Sequence, residues 1–276
     1  MRRHELSDAE WEFVRPLLPE SLRGRKRLDD RRVLNGIVWK FRTGTAWRDV
    51  PERYGPWATL HTRFRRWAAD GTFDRMLRAA QAKADAAGDI EWLVSVDSTI
   101  VRAHQHAAGA RKGGLRDPVL GRSRGGLTSK IHLACDGRGR PLAFAVTGGN
   151  TNDCTRFTTV MKAIRVPRLG PGRPRTRPDH VLGDKGYSSK AIRAWLRRRG
   201  IPHTIPERTD QARNRARRGS RGGRPPAFDR EVYKHRNVVE RCFNRLKQWR
   251  GIATRYDKTA ESYEAAVTLA SLLMWV

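Results

Sequence analysis

Leu93-Val-Ser-Val-Asp97 and His180-Val-Leu-Gly-Asp184 decide the fold of this chain. Each is a short apolar run that ends in an acid, as a buried strand delivering a carboxylate to its end would be. Between them, Lys130-Ile-His-Leu-Ala-Cys-Asp136 alternates, Gly137-Arg-Gly139 turns, and Leu142-Ala-Phe-Ala-Val146 alternates again, which predicts a hairpin. A helix is expected from Asp153 to Ile164, another from Ser188 to about Arg199, and a last strand from Ile201 to Ile205. Three strands, a helix, a strand, a helix, a strand and then helices is the order of an α/β ribonuclease-H-like domain, a mixed sheet flanked by helices.

Upstream of residue 89 the texture is helical. Ser7 or Asp8 caps a segment carrying Trp11, Val14 and Leu17-Leu18, stopped at Pro19. Beyond the basic stretch 23–27, Asp29-Asp30 open a second helix with Val33, Ile37, Val38 and Phe41 on one face, ending near Gly44. Trp47, Val50, Pro51 and Tyr54-Gly55 form a compact turn region. Pro56 suits the first turn of a third helix, in which Trp57, Leu60, Phe64 and Trp67 share an apolar face. Its other face presents Thr59, His61, Thr62, Arg63, Arg65 and Arg66. Gly71 closes it, and a further helix runs from Asp74 to about Ala87. The expected division is an all-α unit over 1–88 and an α/β unit over 89–276. A helix, a short Gly-containing turn and a helix with a basic outer face resemble a helix-turn-helix DNA reader. A plain bundle with a solvated arginine face is the alternative.

Lys and Arg number 57 against 28 Asp and Glu, a net charge of +29, and the natural partner of such a chain is a polyanion. No apolar run approaches the roughly 18–20 residues that span a bilayer, and no signal-peptide pattern follows Met1-Arg2-Arg3. Nucleic acid is therefore expected rather than membrane. Cys135, Cys154 and Cys242 are scattered and form no Cys-x-x-Cys pair, which points to a reducing cytoplasm without disulfides or a zinc site. His104-Gln-His106 has no further ligands of its own. Two Arg/Gly-rich stretches, 105–127 and 208–230, are expected to be loops that clamp phosphate, inert solvated chain being the alternative.

Tyr233, Arg236, Glu240 and Lys247 sit at offsets that fall within an arc of about 60° on a helix. Val238, Val239, Cys242, Phe243, Leu246 and Trp249 form a separate apolar arc that can face a core. Taken alone, Arg236 and Glu240 are an ordinary i, i+4 pair. If the two acid-ending strands are neighbours and this helix crosses them, Asp97, Asp184 and Glu240 converge. Three carboxylates make a hard-oxygen site for Mg²⁺ or Mn²⁺, and two such ions would drive in-line displacement on a phosphodiester. Read one at a time, they are a strand-end cap, a turn residue and a salt-bridge partner.

These residues carry a resemblance. Val96-Asp97-Ser98-Thr99, Gly183-Asp184-Lys-Gly-Tyr-Ser188 and the Tyr-x2-Arg-x3-Glu-x6-Lys signature of Tyr233, Arg236, Glu240 and Lys247 resemble bacterial insertion-sequence transposases of the DDE class, in the branch of insertion sequences four and five. Leu28-Asp-Asp-Arg-Arg-Val-Leu-Asn-Gly-Ile37 and Gly44-Thr-Ala-Trp-Arg-Asp-Val-Pro51 are similar to that family's helical domain. The resemblance implies that Asp97, Asp184 and Glu240 are catalytic and bind metal. It implies that Arg236 and Lys247 hold phosphates, that Tyr233 packs against or bonds the DNA end, and that Lys185 and Tyr187 position the strand. Arg63, Arg65 and Arg66 of the third helix, and Arg217 and Arg218 of the second arginine-rich stretch, are further candidate DNA contacts.

The implied reaction is hydrolysis at the terminal inverted repeats, then attack of the freed 3′-hydroxyl on target DNA, with no covalent protein–DNA link. The stretch between Asp184 and Glu240 is short and lacks a large strand-rich insertion, which departs from relatives that form DNA hairpins. Joining two ends implies a homodimer or larger assembly on double-stranded DNA, in a bacterial cytoplasm at the nucleoid. The alternatives are a DNA-binding protein with an inactive catalytic domain and a ribonuclease-H-like nuclease without strand transfer.

Overall fold

A computed structural model describes residues 3–19, 28–108 and 119–276 of the chain. Its centre is β1 (Leu93–Ala103), antiparallel to β3 (Gly126–Cys135) from Ser95 opposite Cys135 to Arg102 opposite Thr128. On its other side β1 runs parallel to β5 (His180–Gly183), which in turn pairs with β6 (His203–Thr204). The far edge of β3 carries β2 (Gly121–Ser123) and β4 (Pro141–Gly148), and β7 (Thr254–Arg255) lies beside the end of β1. The result is a mixed seven-stranded sheet. β1 does not stop at Asp97 as its apolar run suggested. It continues through Ile100 and Val101 because β3 still pairs with it after β5 has ended. Only the parallel half of the sheet ends at the acid.

The two sheet faces are covered differently, and the alternation of side chains along β1 decides which residue meets which layer. Val94 and Val96 face α6 (Asp153–Ala163) and α7 (Lys190–Arg198), packing with Phe157, Val160, Ile192 and Leu196. Val101, with Leu133 and Cys135 of β3, faces α10 (Val238–Lys247) and α12 (Ala260–Leu272). Asp97 has the parity of Val101, so it belongs to the α10 side.

The amino-terminal segment forms α1 (Asp8–Val14), α2 (Asp30–Thr43), α3 (Trp57–Ala69) and α4 (Thr72–Ala86). Ser7, not Asp8, caps α1, in a reciprocal capping box with Glu10. Asp29 caps α2, and Gly44 ends it at φ 73°, a left-handed turn that glycine adopts without strain. Trp57 departs from the expected apolar face: it occupies the exposed first position of α3, 39 % accessible, under the Arg48 guanidinium at 5.4 Å. Leu34, Ile37, Phe41, Phe64, Trp67, Phe73 and Met76 merge with Trp249, Ile252, Tyr263 and Leu269 in one continuous cluster. The chain passes from helix to strand near residue 88, but the core does not divide there.

A buried ion pair lies within this core. The Lys40 side chain is 3 % exposed, with Nζ 3.7 Å from Asp257 Oδ1 and 3.9 Å from the centre of the Phe41 ring. Burial lowers the pKa of Lys40, and Asp257 opposes that shift. Asp257→Ala would strand an ammonium among aromatic rings, so we expect a loss of about 3 kcal/mol in urea unfolding. Adding Lys40→Met to that variant should restore most of it.

Both arginine-rich stretches hold more order than their composition suggested. Residues 208–230 include α8 (Thr209–Arg217) and a 3-10 turn over Gly219–Gly222. Arg, Gln and Ala favour helix, and Gln211 is gripped twice by Ser188: it accepts from the hydroxyl and donates to the carbonyl, each at 2.7 Å. Residues 105–127 contribute α5 (Gln105–Ala108), β2 and the start of β3, while 109–118 lie outside the described residues, as does the basic stretch 23–27. Among the described residues, no helix is long and apolar enough to cross a membrane.

Candidate active site

Val96 stands opposite Gly183, and each strand places an aspartate next, so Asp97 and Asp184 leave the parallel pair side by side. The third acid arrives from the opposite layer. The Tyr233–Lys247 stretch is not one helix: α9 (Arg230–Lys234) gives way to a 3-10 turn over His235–Asn237, and α10 follows. Arg236 sits in that tighter turn. Its Nη2 donates to Asp97 Oδ2 at 2.5 Å and its Nη1 to Glu240 Oε1 at 2.9 Å. One guanidinium therefore ties the strand acid to the helix acid.

Backbone amides hold one oxygen of each aspartate. Asp97 Oδ1 accepts from the Ser98 amide and Asp184 Oδ1 from the Gly186 amide, both at 2.8 Å. Burial pushes the Asp97 carboxyl above its ordinary pKa. The Ser98 amide and Arg236 oppose that rise, and repulsion from Asp184 and Asp153 adds to it. For Arg236, burial disfavours the charge, but Asp97 and Glu240 outweigh burial and its pKa is raised.

The other signature residues surround this cluster. Tyr233 is half-buried, its ring 5.0 Å from Phe228. Burial raises its phenol pKa; Arg236 opposes, and Asp184, Asp97 and Glu240 reinforce the rise. Lys247 lies along β1, donating to the Ile100 carbonyl at 3.3 Å, and burial lowers its pKa. Lys185 is exposed beside Asp184. Tyr187 is buried behind the acids, its hydroxyl without a partner, and burial, then Asp97, Asp153 and Asp184, push its pKa well up. Tyr187 therefore supports the site from within rather than meeting a strand at the surface. Arg65 and Arg66 are exposed on α3, whereas Arg63 turns inward, paired with Asp30 and 5.4 Å over Trp67. Arg63 thus fastens α3 to α2. Arg217 and Arg218 are exposed at the end of α8, and Arg217 donates to Asn214 at 2.6 Å.

A second polar group, on the α6 side of β1, escaped the sequence reading. Asp153 Oδ1 accepts from Ser98 Oγ at 2.7 Å and from Lys130 Nζ at 3.0 Å. His132 Nε2 lies 2.9 Å from Thr147 Oγ1, and its Nδ1 is 3.6 Å from Asp153. Ser98 therefore fixes Asp97 with its amide while its hydroxyl is fixed by Asp153. The available signal was Lys130 and His132 in alternation with Ile131 and Leu133, in a strand buried on both faces.

Burial holds the His132 pKa down at about 4, outweighing the attraction of Asp153. The folded state therefore keeps this imidazole neutral while the unfolded chain takes up a proton near 6.5. Its contribution to stability is complete above about pH 6.5 and is lost as pH falls toward 4. Between pH 7.5 and 5 we expect a loss of roughly 2 kcal/mol from this group. His132→Asn should flatten that part of the pH–stability curve in urea titrations.

In kind, the donors suit a hard divalent ion: three carboxylates, with no thiolate among them. As arranged, no three His, Cys, Asp or Glu side chains among the described residues close around a common point. Arg236 supplies the positive charge between Asp97 and Glu240.

Two neighbouring aspartates from the sheet and a glutamate from the covering helix thus lie in a basic surround. Residues 89–275 match the family described as "Transposase DDE domain", so the chain belongs to the DDE transposases. Residues 6–77 match "Putative transposase of IS4/5 family", which places it among the insertion-sequence enzymes. "Putative transposase for insertion sequence element IS402" of Burkholderia cepacia is 35 % identical over 146 residues, 53 % of this chain and 62 % of the relative. "Putative transposase for insertion sequence element IS6501" of Brucella ovis is 29 % identical over 150 residues, 54 % of this chain and 99 % of the relative. Protein y4sN of Sinorhizobium fredii is 44 % identical over 109 residues, 39 % of this chain and 83 % of the relative.

Proposed function

We propose that this transposase binds the terminal inverted repeats of its element, hydrolyses phosphodiester bonds there, and joins the freed 3′-hydroxyls to target DNA. The observation that carries this reading is Arg236, which links Asp97 to Glu240 while Asp97 stands beside Asp184. These three carboxylates would hold Mg²⁺ or Mn²⁺, two ions in the full site. When bound, the metal supplies activation of the attacking oxygen and charge relief for the leaving one.

The chain's own residues do the rest. The Ser98 amide and the Asp153–Lys130 pair behind it keep Asp97 in one orientation. Arg236, Lys247 and Lys185 attract the phosphates, and the Tyr233–Phe228 pair offers a ring face to the terminal base. α2, the Gly-containing turn after it and the basic-faced α3 act as a helix-turn-helix-like reader through Arg65 and Arg66, and Arg217 and Arg218 grip the backbone from α8. Two protomers assemble on DNA to join two ends, at the nucleoid of a bacterial cytoplasm.

The test is purified protein with Mg²⁺ and a fragment carrying the inverted repeats. Cleavage followed by joining is the expected result. Binding without cleavage would leave an inactive DNA binder, and cleavage without joining a nuclease.

A further inference from the structure

The connection from α6 to β5 is closed into a finger. Val166 and Arg175 exchange backbone hydrogen bonds of 2.9 and 2.8 Å across its base. Arg175 lies 4.0 Å over the Trp92 ring and pairs with Asp179 at 2.7 Å. Arg168 pairs at 3.0 Å with Asp85, itself 5 % exposed. The base is thus held on three sides. The tip reads Leu169-Gly170-Pro171-Gly172-Arg173-Pro174. Leu169 is 68 % exposed, and Arg173 is exposed with no partner among the described residues. Gly172 has φ +135°, a backbone that L side chains rarely adopt, and Pro174 has no amide hydrogen. Arg173 is therefore carried by thin chain: no Cβ precedes it and no backbone donor follows it.

The finger lies away from the carboxylates. The Asp179 amide donates to the Trp92 carbonyl at 3.0 Å, and Trp92 precedes Asp97 by five residues of extended chain, roughly 16 Å. α6 and α7 both begin beside the active site and run back to this end. Arg165, Arg177 and Arg197–Arg199 are exposed around the finger, against Asp179 as the acid in those same segments. Asp85, Asp89 and Glu91 also lie at this end, but each is paired with Arg168, Arg138 or Arg140, so the exposed arginines leave the pole attractive to polyanions.

We propose that the 166–175 finger enters the minor groove of A/T-rich duplex DNA, at the end of the protein opposite the scissile bond, and so holds a second stretch of duplex. The minor groove is about 6 Å wide and narrower still in A-tracts, where its negative potential draws arginine inward. A Gly-Arg-Pro tip is slim enough to follow its guanidinium into that space. An exposed leucine beside it is the kind of apolar wedge that opens a base step. The surrounding arginines would meet the flanking phosphates. A contact with phosphate alone would call for neither the slender tip nor the leucine. The inference rests on the reading that this chain acts on DNA.

Fluorescence anisotropy of the full chain on two labelled duplexes without inverted repeats, one A/T-centred and one G/C-centred, tests it at fixed salt. Arg173→Ala should weaken binding to the A/T duplex roughly tenfold and to the G/C duplex by about twofold or less. Arg173→Lys should recover only part of the loss, because the more strongly hydrated ammonium enters the groove less readily. Leu169→Ser should weaken the A/T complex as well. Equal losses on both duplexes, full rescue by lysine, or no change in any variant would each overturn the proposal. The variants should keep the wild-type melting temperature and cleave a short inverted-repeat end normally. Failure of the wild type to cleave would count against the proposed reaction, while the two-duplex comparison would still decide the finger.

Discussion

Asp97→Asn is expected to lower metal-dependent cleavage of an inverted-repeat end by on the order of 10³-fold, with end binding within about threefold of wild type. The substitution keeps the shape of the group. Asparagine has one acceptor oxygen where the carboxylate uses two, so it keeps either the Ser98 amide or the Arg236 guanidinium and turns its own N–H groups toward the other. It also loses the charge that a divalent ion depends on. The stability consequence has the opposite sign. Burial raises the folded pKa of Asp97, so ionisation costs stability as pH rises through that value, and the neutral amide avoids the cost. The lost acceptor works the other way, so the variant should melt close to wild type at pH 7. A dead enzyme with a near-normal melting temperature is the expected pair of results. Wild-type cleavage would remove Asp97 from the chemistry, and a large drop in melting temperature would make its role structural. Glu240→Gln should behave alike in cleavage.

Residues 1–88 expressed alone should fail to fold cooperatively. α2, α3 and α4 would lose Trp249, Ile252, Tyr263, Ala266 and Leu269, the residues that complete their core. Re-exposing even five apolar side chains at about 2 kcal/mol each approaches the whole stability of a typical domain. The fragment should bind a hydrophobic dye and show no sharp thermal transition by circular dichroism, and 89–276 should aggregate for the same reason. A cooperative melt of either fragment would show that each unit carries its own core.

Much of the site was legible because its chemistry is local. The acids Asp97 and Asp184 each close an apolar run, and that is visible without coordinates. Arg236 was visible as a helical neighbour of Glu240, but its bond to Asp97 was not, since it depends on a 3-10 turn that leaves the residue offsets unchanged. Asp153 was missed because Ser98 is 55 residues distant in sequence, and no spacing rule connects them. α8 was read as loop from its arginine content, whereas its anchor is a pair of bonds to Ser188. Trp57 kept the helical period yet lies at the helix start, where the period has no core behind it. The shared core was hidden for another reason: an apolar helix face announces that it will be covered, not by what.

The union of α2, α3 and α4 with α10 and α12 has a metrical consequence. On the proposed reading, Arg65 and Arg66 share one core with the elements that carry Asp97 and Glu240, so the protein would act as a ruler. The number of base pairs between the sequence read and the bond cut would be set by the packing of Phe41, Phe64 and Trp249, and spacing within an element's ends would become a property of this hydrophobic core.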